Sequence, residues 1–394
     1  MSNADMNNGK PMTIPMENGS RGLRVVHIVR SLEVGGLERV VCDLARARRN
    51  AATSVLCLDH PGPWGEELRQ HGVDVGVIGM ERGKVATLWR LCAELRRRQP
   101  DVVHLHNLTA LTFGAVAARC CGINACVFTK HGQSLPRRTL GDRLRQRLAR
   151  RTHLVGVTRD VCDRLHRWCP CNTASSTFIP NGLNLAHWQN LPARDKARRQ
   201  YGWSSASYIV GVVARLSDEK DHATLIRALH LLGPAHGEMQ LAFAGEGPTR
   251  DSLESLCRDL GLRPRVHFLG TQHDVRPMLA ACDLFVLPSH TEGTPVSLLE
   301  AMAAKLPCIG TRVGGIPDVI QHRRTGLLVP PRAERSLADM IHAVFDDRHS
   351  AAAIGQAARR HVEAEFSLHV VAQRYERLYE SSASKLRPFH RVAG

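Results

Sequence analysis

From residue 23 onward, short unbroken apolar runs alternate with longer segments whose apolar positions recur every three or four residues. The runs are LRVVHIV (23–29), TSVLCL (53–58), VDVGVI (73–78), DVVHLHN (101–107), CVFTKHG (126–132) and HLVGVT (153–158). They resume with YIVGVVARL (208–216), LAFAGEGP (241–248), VHFLG (266–270), DLFVLP (283–288), PCIGT (307–311) and TGLLVPP (325–331). Continuous rather than alternating hydrophobicity marks strands covered on both faces, as in parallel sheets. Strand, loop and helix in repetition therefore predict an α/β chain with helices on both sides of each sheet. A polar stretch over 184–207 interrupts the repeat and divides the chain into a domain over 23–190, a linker over 191–207 and a domain over 208–370. The polar segment 1–22 is expected to be a disordered extension, and 385–394 a basic tail.

The most telling junction is 289–306, SHTEGTPVSLLEAMAAKL, where the run 283–288 hands over to a helix. Gly293 is expected to relax the turn, and Pro295 suits a first helical position, where its missing N–H costs nothing. Leu298, Leu299, Met302 and Ala303 follow at helical spacing, so the helix is expected to begin near Thr294. Glu292 then lies in the loop and Glu300 inside the helix, with free N–H groups between them. Such a place suits a pyrophosphate at the amides and sugar hydroxyls at the carboxylates. An acidic helix start with one solvated glutamate is the plainer alternative.

Other strand ends carry candidate chemistry. Gly35 and Gly36 sit at the first strand-to-helix turn, where a ligand can approach the backbone. His104 and His106 share a strand face and read as a wall of a cleft or, less simply, as part of a metal site. His131 stands beside Gly132 at the carboxyl edge of its strand. Arg215 and Lys220 make a cationic pair after the strand over 208–216, and Glu246 is a glycine-flanked acid.

Composition narrows the partners. The formal charge is +16, from 53 Lys and Arg against 37 Asp and Glu, which suits nucleic acid, phosphorylated small molecules or an acidic membrane face. Aromatics are only 5% and do not interleave with arginine, which disfavours a single-stranded nucleic-acid groove. Residues 137–151, RRTLGDRLRQRLARR, form a basic amphipathic segment. Its Leu140, Leu144 and Leu148 pack on the domain, or the segment touches anionic lipid. The apolar window 110–128 is broken by Arg119 and Asn124, so no membrane span is expected. Twelve cysteines without an export signal read as small hydrophobes in a reducing compartment; Cys162, Cys169 and Cys171 lack further ligands at zinc-like spacing.

Taken in order, ARLSDEK, AGEGP, FLG, DLFVLPSHTEGTPVSLLEAMA, GGIPDVI and TGLLV resemble family 4 of the GT-B glycosyltransferases, the retaining group that uses nucleotide sugars. The VGG loop, KHG and IPNG resemble it too, and the likeness spans about residues 23–382. It implies two Rossmann-like domains facing each other across a cleft, with a last helix over 371–384 crossing back to the first domain. Position by position, it implies that Arg215 and Lys220 neutralise the donor pyrophosphate, that Glu292 contacts the donor sugar, and that Glu300 takes the ribose hydroxyls. Gly35, Gly36, Glu246, Gly293, Thr294 and Pro295 would line the donor site, with His131 beside the donor sugar. The donor is expected to be a UDP- or GDP-sugar, with no cofactor and no divalent metal, since no Asp-x-Asp motif is present. The acceptor would be a glycan or polyprenyl-linked precursor, handled in the cytoplasm or at the inner membrane face, with no nucleic acid involved. VVHIVRSLEVGGLERVV is similar to transferases of bacterial exopolysaccharide assembly. A nucleotide-sugar 2-epimerase of the same architecture and a non-catalytic basic binding protein are the alternatives. The chain departs from the pattern at Asp221, where relatives usually have Gly, and at Thr294 and Pro295, where they often have Phe-Gly or Leu-Pro.

Overall fold

The apolar runs become strands of two separate parallel sheets. The structure, a computed structural model, describes residues 22–33, 35–48, 52–132, 140–170 and 176–384. The expected extension up to residue 21, the basic tail, residues 137–139 of the basic segment and Cys171 lie outside the described residues. The described chain up to Ala186 joins with Leu368 onward in one unit, and His187–Ser367 is the other.

In the first unit, β1 (Val25–Val29), β2 (Thr53–Cys57), β3 (Asp74–Val77), β4 (Val102–Leu105), β5 (Cys126–Lys130), β6 (His153–Gly156) and β7 (Thr177–Phe178) lie in the order β3-β2-β1-β4-β5-β6-β7. In the second, β8 (Tyr208–Val213), β9 (Met239–Ala244), β10 (Val266–Phe268), β11 (Leu284–Leu287), β12 (Cys308–Thr311) and β13 (Leu327–Val329) lie in the order β10-β9-β8-β11-β12-β13. Every pairing of these strands is parallel. Each sheet is thus a doubly wound, Rossmann-like fold. Strand order reverses at β1/β4 in one and at β8/β11 in the other, and such reversals open a crevice beyond the carboxyl edge.

Helices cover both faces because the strands are apolar on both. Val210, Val212, Leu241, Phe243, Leu284 and Val286 share one core cluster with Leu225 and Leu229 of the helix His222–Leu232 and Leu337 and Ile341 of the helix Glu334–Asp346. The last helix, Leu368–Ser384, belongs to the first unit. It buries Val371, Tyr375, Leu378 and Tyr379 against Val25, Val102, Val127 and Val155. Gly182 makes room for it: a Cβ there would stand 3.1 Å from the Leu368 Cα.

The expected linker is instead folded into the second unit. Residues 194–200 form a helix, Arg194–Gln200, and its Arg198 is almost wholly buried. The Arg198 guanidinium donates to Asp283 at 2.5 Å and to the carbonyls of Ala281, Ser204 and Ser205, while Asp283 also accepts the Ile209 N–H at 2.7 Å. A polar composition concealed these residues because their polar groups satisfy one another indoors. The basic segment differs as well. Over its helix Leu140–Ala149, Leu148 is buried but Leu144 is 48% exposed, and Asp142 is buried against Arg145. The leucines therefore do not form one inward stripe.

Removing the Arg198 guanidinium would leave Asp283 with Arg194 and the Ile209 N–H, and three buried carbonyls without their donor, at a cost of about 1–3 kcal/mol. Arg198→Ala is accordingly expected to lower the unfolding free energy of the second unit by that amount, read as a urea midpoint at lower concentration. An unchanged midpoint would show that Asp283 does not depend on Arg198.

Candidate functional site

In the second unit, two loops meet where β8 and β11 pair side by side, Leu284 beside Val210 and Phe285 beside Gly211. The loop after β8 turns through a short 3-10 segment, Asp218–Lys220, and the helix His222–Leu232 follows. The loop after β11 runs from Pro288 to the helix Val296–Ala303. Lys220 Nζ reaches across to Glu292 Oε1 at 2.6 Å, and the buried Ser289 hydroxyl donates to the same oxygen at 2.7 Å. A backbone bond joins the two loops, His290 N–H to Glu219 O at 2.7 Å, and Gly315 N–H, in the loop after β12, donates to Glu292 O at 3.2 Å. The result is a carboxylate and an ammonium fixed before any ligand arrives.

Asp221 explains its own departure from glycine. Its φ is +47°, the left-handed region that favours glycine, and aspartate is tolerated there because its side chain caps the next helix. It accepts from the Thr224 N–H at 3.3 Å and the Thr224 hydroxyl at 2.6 Å.

The helix begins two residues later than its spacing predicts. Pro295 is the residue before the first turn rather than inside it, with ψ 104°, and the Leu298 N–H bonds back to the Pro295 carbonyl at 3.2 Å. Thr294 is buried in the loop. Gly293 lies outside the left-handed region, so the turn does not call on glycine for an unusual φ. Glu300 is buried one turn inside the helix.

Arg215 is exposed and has no ion pair among the described residues. The loop after β9 packs directly against its segment, because Cβ atoms at Gly245 and Gly247 would stand 2.0 Å from the Ala214 carbonyl oxygen and 2.1 Å from that of Leu216. Glu246, between those glycines, pairs with Arg250 and not with the Lys220–Glu292 group.

In the first unit, Gly35 is extended, with φ −170°, and precedes the helix Gly36–Ala47. The loop before it is braced by Gly62, whose Cβ would meet the Leu32 carbonyl oxygen at 2.4 Å. Sequence reasoning missed that contact. It also missed His27, which lies within the apolar run of β1 in register with His104 on β4. His104 and His106 are fully buried with ring centroids 3.9 Å apart, so they are core groups and not a cleft wall. His106 Nδ1 stands 3.3 Å from His131 Nε2. Burial, reinforced by Arg48, pushes His27 down to about 3. Burial and the neighbouring rings hold His104 and His106 well below the usual histidine range. Burial likewise takes His131 down to about 4, opposed by the Asn181 side chain and aided by Lys130.

The described cysteines are all free, and most are buried hydrophobes. No described helix is long and apolar enough to cross a membrane.

Comparison with known proteins agrees with this architecture. Residues 34–187 match the family described as Glycosyltransferase Family 4, and residues 193–361 match Glycosyl transferases group 1. A putative glycosyltransferase, EpsF, of Bacillus subtilis (strain 168) is 28% identical over 86% of this chain and 90% of that protein. The N-acetyl-alpha-D-glucosaminyl L-malate synthase of Bacillus anthracis is 34% identical, over 46% of this chain and 48% of its own length. Among solved structures, Anabaena Alr3699/HepE in complex with UDP superposes with a TM-score of 0.81, at 23% identity, covering 91% of this chain and all 100% of that one. That likeness shows the fold, which is GT-B.

The buried rings carry a consequence for acid stability. They are neutral when folded and titrate near 6.5 when unfolded, so below that pH the unfolded chain takes up more protons. Their contribution is intact above about pH 6.5 and lost as the pH falls toward 4, at about 1 kcal/mol per ring per pH unit. Thermal melting at pH 5.5 is expected well below that at pH 7.5. Equal melting temperatures would contradict neutral, buried rings.

Proposed function

The chain belongs to the family 4 glycosyltransferases, and from that premise we propose that it moves a sugar from a nucleotide-diphosphate donor to a hydroxyl of a glycan or lipid-linked acceptor in bacterial polysaccharide synthesis, with retention at the anomeric carbon. The observation that carries the reading is the Lys220–Glu292 pair at the β8/β11 reversal, with Arg215 on the same loop. In this reading, Lys220 and Arg215 face the donor diphosphate. The bond from C1 to the diphosphate oxygen breaks with its electron pair on that oxygen, and preorganised cations lower the cost of the charge that develops there. They also stand in for a divalent cation, so the reaction is metal-independent.

Glu292 accepts a hydroxyl of the donor sugar, and Glu300 those of the ribose. Gly293, Thr294 and Pro295 carry the backbone past the phosphates, and Gly35 and Gly36 offer a bare backbone to a ligand. Glu246, already paired with Arg250, contributes at the rim. His131 hydrogen-bonds the donor sugar near C1. The acceptor hydroxyl attacks C1 on the face the diphosphate leaves, and its proton passes to the departing phosphate oxygen. Bonds and charge balance without a protein nucleophile.

Anabaena Alr3699/HepE forms complexes with UDP and with UDP-glucose, and a mannosyltransferase relative from Corynebacterium glutamicum is GDP-mannose-dependent. The proposal is accordingly a UDP- or GDP-sugar donor. It places the reaction in the cytoplasm, with the arginines of the helix Leu140–Ala149 and its exposed Leu144 against the anionic inner face of the membrane.

Incubation with UDP- and GDP-sugars and glycan acceptors is expected to release nucleoside diphosphate and form a glycoside of the donor's anomeric configuration. Binding of no sugar nucleotide would end the reading, and conversion of the donor to its C2 epimer without acceptor would replace it. Glu292→Ala and Lys220→Ala are each expected to lower turnover by at least about a hundredfold, as for loss of a transition-state contact. Near wild-type turnover in either variant would show that the donor lies elsewhere. Co-sedimentation with vesicles is expected to rise with anionic lipid and fall with salt; indifference to both would remove the membrane contact.

A further inference from the structure

At the edge of the second sheet opposite the Lys220–Glu292 pair, two histidines and an aspartate converge. The helix His222–Leu232 runs back from the carboxyl end of β8 toward the start of β9, and a short 3-10 turn, Pro234–His236, joins the two. His236 is buried there against the end of the helix Glu334–Asp346, which carries His342 and Asp346 four residues apart on one face. His236 Nε2 lies 3.1 Å from His342 Nδ1, and His342 Nε2 lies 3.4 Å from Asp346 Oδ2. One ligand atom from each of the three residues lies within 4.8 Å of the other two.

His236 is held from three sides. Its Nδ1 stands 3.1 Å from the Leu232 carbonyl oxygen, its own carbonyl accepts from Arg265 at 2.6 Å, and the Phe345 ring meets it edge-on at 5.2 Å. A carbonyl only accepts, so Nδ1 carries the proton and the neutral ring presents a lone pair at Nε2, toward His342. A neutral His342 then has one N–H between two acceptors. Given at Nδ1 to His236, it leaves the Nε2 lone pair facing the Asp346 carboxylate at 3.4 Å; given at Nε2 to Asp346, it leaves two lone pairs facing each other at 3.1 Å. In either tautomer one pair of acceptors stands opposed, and the group lacks one cation. Asp346 is also the last residue of its helix, where the negative end of the dipole favours a cation.

A second proton on His342 would supply that charge, and so would a metal ion. The geometry favours the ion. Two nitrogens bound to one tetrahedral zinc ion stand about 3.3 Å apart, close to the separation of the two rings. A backbone carbonyl that holds the far N–H of a histidine, as Leu232 does here, is the usual outer support of a metal ligand. The His342 and Asp346 side chains are 52% and 59% exposed, so an ion from solution reaches them and water completes its shell. His27, His104 and His106 also lie within 4.8 Å of one another, but those rings are sealed from water, and both His104 nitrogens are engaged by the Tyr379 and Thr129 hydroxyls at 2.7 Å.

We propose that His236, His342 and Asp346 form a site for a divalent transition-metal ion of the zinc class, held by two imidazoles and one carboxylate. Imidazole selects such an ion over magnesium and calcium, which take oxygen ligands. The ion ties the turn before β9 to the end of the helix Glu334–Asp346. It stands apart from the loops at the carboxyl edge and takes no part in sugar transfer.

The test is calorimetric titration of the full chain with zinc chloride at neutral pH, with the thiols kept reduced. One zinc ion per chain is expected to bind, to resist displacement by excess magnesium and to raise the melting temperature. His342→Ala and Asp346→Asn change exposed side chains and leave the core intact. Each is expected to weaken zinc binding by at least about tenfold, the loss that even outer partners of a metal cause, and to remove the rise in melting temperature. Cys120→Ser takes away an exposed thiol and is expected to leave the affinity unchanged. Failure of the wild type to bind zinc would leave a proton on His342 as the cation and overturn the site. Binding that survives both ligand variants, or that is lost with Cys120, would place the ion elsewhere and overturn it equally.

Discussion

A doubly wound parallel sheet presents its loops at one edge, and the reversal of strand order decides which of them can gather. Between β8 and β11 the chain winds away in opposite directions, so the loops that follow those strands stand side by side at that edge and bond to each other. Residues 72 apart, Lys220 and Glu292, become an ion pair only because β8 and β11 are neighbours. The same rule operates at β1 and β4, where register sets His27 beside His104. The donor site proposed for the second unit depends on the first of those adjacencies.

The strands were legible because parallel sheets require apolar residues on both faces, and continuous runs such as YIVGVVARL have few other uses. Glu292 and Lys220 were legible as charges at strand ends. Their partnership was not, since no spacing in a sequence records which crossover lies next to which. Pro295 misled by one position: with no N–H to give, it suits the residue before the first turn as well as the first residue within it. Arg198 misled by polarity, because a composition rich in charge reads as solvated until Asp283 and three backbone carbonyls are seen around it. His27 was hidden by its neighbours, and only its register with His104 reveals that a polar group is buried there.

Asp221 shows how a departure from a family pattern can leave a site intact. The left-handed backbone that glycine would provide is still present, and the cap to Thr224 offsets the strain of placing a side chain there. Lys220 immediately precedes it and so keeps its direction toward Glu292. What the substitution adds is a carboxylate within 3.4 Å of His290, on the loop that carries Glu292. That contact ties the two loops once more at their outer edge.

The two reversals differ in charge, and the difference suits the proposed chemistry. A departing diphosphate gathers negative charge, so the loops beside it gain from permanent cations, which a lysine held by a carboxylate and an exposed arginine provide. The anomeric carbon gathers positive charge at the same moment, and a cation beside it would raise the barrier. A histidine that titrated near its ordinary value would be partly charged at neutral pH, whereas burial holds His131 down to about 4 and keeps it neutral. Burial therefore removes the unwanted charge.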